Sequence, residues 1–218
     1  MTSMEKNALR ENTPRPDGQI PLRSCLLCGV GGQGTVLASR LIAAAAMNKG
    51  LAAETAETIG MAQRGGSVVS HVRIGCDIPS PMIPTGGADI LLGFEPGEAA
   101  ACLSYLKPGG TIIVSRQEIT PITAALGASG YRGEDCLSYL KARVPDCHVL
   151  DGEEICRTCG SPKVLNVALV GALCASGAMD LSLEEARQAL KQRLKPGLLE
   201  MNLKALDLGA QAVDFPQR

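Results

Sequence analysis

Cys25-Leu-Leu-Cys-Gly-Val-Gly-Gly-Gln-Gly-Thr35 is the stretch on which the fold turns. Leu26 and Leu27 form a short apolar run that stops at Gly29, and Gly31, Gly32 and Gly34 follow at once. From Val36 to Met47 the residues are mostly small and apolar, at helix length. Strand, glycine turn and helix, in that order, open a doubly wound α/β domain. Gly29, Gly31 and Gly34 match G-x-G-x-x-G, where glycine allows a tight turn and a close approach to a ligand or neighbouring segment. The turn leaves the N–H groups of the helix open and partly positive, which favours a phosphate or carboxylate.

Upstream, residues 1–22 are polar and carry Pro14, Pro16, Gly18 and Pro21 without periodicity, so a flexible leader is expected before a single domain over 23–218. Downstream, the first helix carries Leu37, Leu41, Ala44 and Ala45, with Met47 on a neighbouring row, and Gly50 ends it. Leu51 to Glu57 is a second strand candidate, and Ser67 to Ile74 a third. Strands follow at Asp89–Phe94, at Thr111–Ser115 after a turn at Lys107–Gly110, and at His148–Leu150. Helices are expected near Gly97–Leu106 and Glu134–Arg143, with Gly127–Gly133 as loop.

From Lys163 the chain reads as helical. Lys163–Ser176 is apolar nearly all round, which predicts burial on several sides or a place at an interface. Ser182-Leu-Glu-Glu185 is a capping box opening a helix with Leu183, Ala186, Leu190 and Leu194 on one face. Pro196-Gly197 breaks it, and Leu199, Leu203, Leu206, Ala210 and Val213 mark a last helix. The expected fold class is α/β: a doubly wound, mainly parallel Rossmann-like sheet with a helical C-terminal extension.

Composition narrows the function. The 218 residues carry a formal net charge of −1, which gives no electrostatic footprint for nucleic acid or anionic membrane. Aromatics are 2% of the chain, too few for base stacking, and no apolar run approaches a membrane span. Nine cysteines, an odd number scattered over the chain, suggest reduced thiols and a cytoplasmic setting.

Several chemistries can be weighed on residue spacing. A dinucleotide site would want an acidic residue about 20 positions beyond the glycines, where Glu54 stands, with Glu57 as second choice. The Gly31-Gly32 doublet also suits the G-x-G-G-x-G of enzymes that adenylate ubiquitin-like and sulfur-carrier proteins, some with zinc on two C-x-x-C pairs. Cys25/Cys28 and Cys156/Cys159 invite that comparison, but positions i and i+3 of a strand face opposite ways and do not share a metal. No C-x-x-C-x-x-C run exists for a ferredoxin-type cluster. His71 and His148 lack a local signature for a Cys–His nucleophile and read as strand residues satisfied by backbone or solvent. In Gln63-Arg-Gly-Gly66 a guanidinium stands beside backbone N–H groups freed by two glycines, which suits an anion.

The two glycine loops together are distinctive. Gly29-Val-Gly-Gly-Gln-Gly34, Val36-Leu-Ala-Ser39 and Glu57-Thr-Ile-Gly-Met-Ala-Gln-Arg-Gly-Gly-Ser-Val-Val-Ser-His-Val-Arg73 resemble the gamma-type subunit of the 2-oxoacid:ferredoxin oxidoreductases. Gly60-Met-Ala-Gln-Arg-Gly-Gly66 looks most like the indolepyruvate type, and Ala88–Pro96 and Asn166–Ala172 look like the family's corresponding strand and helix. The resemblance implies a complex that oxidatively decarboxylates a 2-oxoacid to an acyl-CoA with thiamine diphosphate, iron–sulfur clusters and ferredoxin as acceptor.

It also implies that the thiamine and cluster motifs sit on a large partner subunit. The chain has no thiamine-type Gly-Asp-Gly…Asn segment, so it is expected to be inactive alone, with no catalytic residue, metal ligand or cofactor of its own. Gly29, Gly31, Gly32, Gln33, Gly34, Gly60, Met61, Gln63, Arg64, Gly65 and Gly66 are expected to face the partner or a ligand, CoA included. Cys156-Arg-Thr-Cys159 departs from the family's polar residues there. The contrasting expectation is a free-standing Rossmann-like dinucleotide- or CoA-binding protein. A large apolar surface around the Lys163 helix would favour a subunit, and an open cleft lined by Glu54 would favour the alternative.

Overall fold

Strict alternation along β1 (Arg23–Val30) puts that strand at the centre of the molecule. Cys25 and Leu27 point into the apolar cluster on one face of the sheet, Leu26 and Cys28 into the cluster on the other. The computed structural model describes residues 21–59, 66–120, 130–213 and 215. The other strands are β2 (Ala52–Ile59), β3 (Ser67–Gly75), β4 (Ala88–Gly93), β5 (Leu106–Ser115) and β6 (Cys147–Leu150). The sheet order is β2-β3-β1-β4-β5-β6.

β1, β4, β5 and β6 pair in parallel, whereas β3 runs antiparallel to both β1 and β2. Five strands therefore share a direction and β3 opposes them. The short 60–66 connection explains this, because a parallel neighbour needs a longer crossover. The Lys107–Gly110 stretch, expected as a turn before the strand, is instead taken into β5. The register shifts between Ala88 and Ile90, and Gly109 sits at φ +74°.

α1 (Thr35–Asn48), α4 (Gly152–Cys159), α5 (Leu165–Ser176), α6 (Leu183–Arg193) and α7 (Pro196–Gln211) contribute to the cluster on one face; α2 (Pro96–Ala101) and α3 (Gly133–Arg143) contribute to the other. The expected stripe on α1 is rotated. Leu41, Ala44 and Ala45 of that stripe are buried, together with Ala38, Ile42 and Ala46, while Leu37 and Met47 are exposed. On α7 the fully buried row is Asn202, Ala205, Leu206 and Gly209; of the expected row Leu206 is buried, and Leu199, Leu203 and Val213 pack half-buried against the core. Backbone contact with α5 selects small residues there over large ones.

α5 is buried over 11 of its 12 positions, and the chain itself supplies the cover. Its apolarity is thus spent on α7, α1, α6 and the sheet. Ser182 and Glu185 form the capping box reciprocally. Ser182→Ala should lower unfolding stability by about 1 kcal/mol in a urea titration.

At the opposite end of β3, His71 and Arg73 hold the proline-rich connection. Ile83 N–H donates to His71 Nδ1 at 3.2 Å, and Arg73 Nη1 donates to the Ser80 carbonyl at 2.8 Å. Burial pulls the His71 pKa below its ordinary 6.5, so the ring is held neutral as an acceptor. A lowered histidine pKa gives stability that is full above 6.5 and lost as pH falls through the lowered value. Calorimetry from about pH 7 to about pH 5 should show the melting temperature falling, and His71→Asn should flatten that dependence. No helix among the described residues is long and apolar enough to cross a membrane.

Candidate functional site

The glycine turn lies where the strand order reverses, beyond the carboxyl ends of β1 and β4, which is where open α/β sheets bind ligands. Residues 31–34 connect β1 to α1, and Phe94 and Glu95 connect β4 to α2. The Gly31 N–H donates to the Gly66 carbonyl at 2.9 Å, so the turn is fastened to the exit of the second glycine loop. Gly60, Met61, Gln63, Arg64 and Gly65 lie outside the described residues.

Gln33 acts as a strut inside this arrangement. Its Oε1 accepts from the Val30 N–H at 2.7 Å and its Nε2 donates to the Phe94 carbonyl at 3.0 Å. Both ends of the amide are thus used to join the β1 and β4 loops. Gly29 lies beneath, with room for no side chain: a Cβ there would stand 2.7 Å from Phe94 Cβ. Gln33→Leu should cost about 1–3 kcal/mol in the isolated chain, because a buried donor and acceptor lose their partners. Urea unfolding without any ligand or partner reads that loss.

Gly32 is exposed at the tip, and Gly34 starts α1 at φ +86° with no side-chain cap. The first-turn N–H groups of α1 therefore lack a capping side chain, and its first turn carries no acidic residue. Asn166, at the start of α5, comes in from far along the chain to lie against Gly34. It is 4% exposed, its Oδ1 accepts from the Val167 N–H at 2.9 Å, and its Nδ2 would stand 2.7 Å from a Cβ on Gly34. The uncapped N–H groups at the start of α1 and the Asn166 amide lie together at the turn, which suits an anion.

Beside it the β4 loop is locked internally. Glu95 Oε2 caps α2 by accepting from the Glu98 N–H at 2.9 Å, and Tyr131 donates its hydroxyl to Glu95 Oε1. Ser67 Oγ donates to Glu98 Oε2 at 2.5 Å, tying the start of β3 to α2. Burial and the Glu95 carboxylate raise the Tyr131 pKa, so the phenol keeps its proton and remains a donor.

The acidic positions considered for a ribose lie elsewhere. Glu54 is near the beginning of β2, with β3 between it and the glycine turn. Glu57 faces α1, where Ser39 Oγ approaches it at 3.5 Å and Arg40 at 4.0 Å. A cleft of about 690 Å³ opens beyond β5 and β6, lined by residues including Arg116, Asp151, Cys156 and Arg157. Cys156 and Cys159 share the short α4. The Cys156 thiol donates to the Pro162 carbonyl at 3.7 Å, and burial raises its pKa, so it rests as a thiol. Among the described residues no group of three or more His, Cys, Asp or Glu side chains could hold a metal ion.

Sequence reasoning singles out the glycine turn and misses Asn166, which lies against Gly34. The signal for Asn166 was its place in the family-like Asn-Val segment.

The family model described as pyruvate ferredoxin/flavodoxin oxidoreductase matches residues 24–212. The chain is 38% identical over 185 residues to indolepyruvate oxidoreductase subunit IorB of Archaeoglobus fulgidus, covering 84% of this chain and 92% of that one. The corresponding subunit of Pyrococcus horikoshii is 34% identical, covering 86% and 94%. Among solved structures, the fold matches the gamma subunit of a keto/oxoacid ferredoxin oxidoreductase from Geobacter sulfurreducens. That match has a TM-score of 0.63 at 23% identity, covering 87% of this chain and 97% of that one.

Proposed function

The chain belongs to the pyruvate ferredoxin/flavodoxin oxidoreductase family, and from that premise we propose that it is the small subunit of an indolepyruvate-type 2-oxoacid:ferredoxin oxidoreductase. The observation that carries the reading is the near end-to-end match to a subunit of that name at 38% identity. The complete enzyme of such a family converts a 2-oxoacid to an acyl-CoA and passes electrons to ferredoxin.

Thiamine diphosphate and iron–sulfur clusters supply the decarboxylation and electron transfer in such a complex, and among the described residues no group of three or more His, Cys, Asp or Glu side chains could hold a metal ion. Cys25 and Cys28 face opposite sides of the sheet. Cys156 and Cys159 sit on one helix without a third ligand among the described residues. In this reading both groups belong to a larger partner subunit. This chain's own contribution is a shaped wall: Gly31–Gly34, Gly66 and the start of α1, held rigid by Gln33 and presented beside the outgoing second loop. The uncapped N–H groups suit an anionic part of a substrate: both the 2-oxoacid carboxylate and the CoA phosphates are anions, and the phosphates are the group we assign to them.

A tagged copy expressed in its own cells should co-purify with one equivalent of a large brown subunit carrying thiamine diphosphate and iron. A lone, colourless chain that binds NAD would overturn the reading.

A further inference from the structure

The end of α6 and the start of α7 carry Lys191, Arg193 and Lys195, all exposed and none in an ion pair among the described residues. The negative end of α6 accommodates Lys191 and Arg193. It does not account for Lys195, which is the N-cap of α7, where the helix is positive and there is neither a capping side chain nor an acidic residue in the first turn. Glu200 is the one acidic residue between Lys191 and Asp207. In a chain whose formal net charge is −1, this is a local excess of positive charge that the fold leaves uncompensated.

Arg193 also borders an apolar notch, one wall of which is Asn166, the residue that lies against Gly34. Leu37, Leu41, Val167, Leu190 and Leu194 line it, and Leu37 is 43% exposed although it stands in the first turns of α1. The uncapped end of α1 adds partial positive charge at the same place. Asn166 lines the notch as well, and no acceptor for its Nδ2 stands among its described hydrogen bonds. Arg193, with Lys191 and Lys195 close to it in the chain, thus stands at an apolar seat beside the uncapped start of α1, and Asn166 links that seat to Gly34.

We propose that this surface docks an acidic segment of the large partner subunit, one carrying an aliphatic side chain that enters the notch beside Leu37 while its carboxylates meet Lys191, Arg193 and Lys195. The proposal rests on the subunit reading. Charge complementarity names the occupant: an apolar partner alone would leave three cations facing an uncharged surface, and a second copy would set basic patch against basic patch.

The test uses the co-expressed complex. Lys191→Glu, Arg193→Glu and Lys195→Glu together should weaken association with the partner at least thirty-fold at about 0.15 M salt, and should remove most of its salt dependence. Leu37→Ser should weaken it about fivefold or more. The same charge change on the other face of the sheet, Arg132→Glu with Lys141→Glu and Arg143→Glu, should leave affinity unchanged. Thermal melting of each free chain establishes that all variants fold.

A triple variant that binds the partner like the parent overturns the docking surface and leaves the subunit reading standing. Equal weakening by the control triple overturns it too. So does a triple variant that keeps the partner but loses self-association, or one that keeps it and raises only the KM for CoA. If the parent chain itself has no partner, the subunit reading fails first and this surface with it.

Discussion

Gly209→Ala is expected to be among the most destabilising single substitutions this chain can carry. α5 and α7 cross backbone to backbone: a Cβ on Gly209 would lie 1.9 Å from the Ala168 carbonyl oxygen, and one on Gly171 would lie 2.0 Å from that of Leu206. Neither obstacle is a side chain that can swing away. The helices must separate by more than an ångström, and α5 would lose its contacts with the core on every side. A cost of about 4 kcal/mol or more follows, at the far end of the range for single substitutions. For a chain of this size that corresponds to a fall of roughly 8–16 °C in Tm. Gly197→Ala, which would meet nothing within 4 Å, is the matched control and should leave Tm nearly unchanged. Differential scanning calorimetry of both variants decides it.

Gly34→Ala should have the next largest effect, and it should reach the assembled enzyme. A left-handed φ of +86° costs a non-glycine residue about 1–2 kcal/mol, and the new methyl would also press on Asn166 Nδ2 at 2.7 Å. Together these predict a loss of about 2–3 kcal/mol, with the start of α1 displaced. Adding Asn166→Ala should return the steric part and leave the backbone part. Gly32→Ala provides the comparison: its φ is +101°, but a Cβ there would meet open space. It should cost stability without shifting α1. If the turn faces the active-site wall, Gly34→Ala should lower turnover of the complex far more than Gly32→Ala at equal occupancy.

Much of this was legible in the sequence, and the parts that were not share a cause. The Ser182 capping box could be read in full because its partners are three residues apart. β1, the glycine turn and the helix after it follow from local spacing. The face of α1 was misjudged because a helix of alanines offers little contrast, so Leu37 and Met47 looked like core residues and are exposed. The insertion of β3 between β1 and β2 is a matter of strand order, which periodicity does not encode. The apolar α5 was equally consistent with an interface until α7 was seen to cover it.

The same limit applies to the site. Gly31 and Gly66 were chosen as members of two loops, and the hydrogen bond joining them is a tertiary fact. Asn166 reaches the turn, and Arg193 the notch beside α1, only because α5 and α6 fold back along that helix. Gln33, conspicuous inside the glycine run, turns out to brace the loops with both ends of its amide.

Reconstitution tests the central claim most directly. The large partner, purified without this chain, is titrated with it while 2-oxoacid-dependent ferredoxin reduction and acyl-CoA formation are followed. The account predicts negligible turnover at the start, a rise with each addition, and a break at one chain per partner. Full turnover by the partner alone, or no response to the added chain, would contradict it.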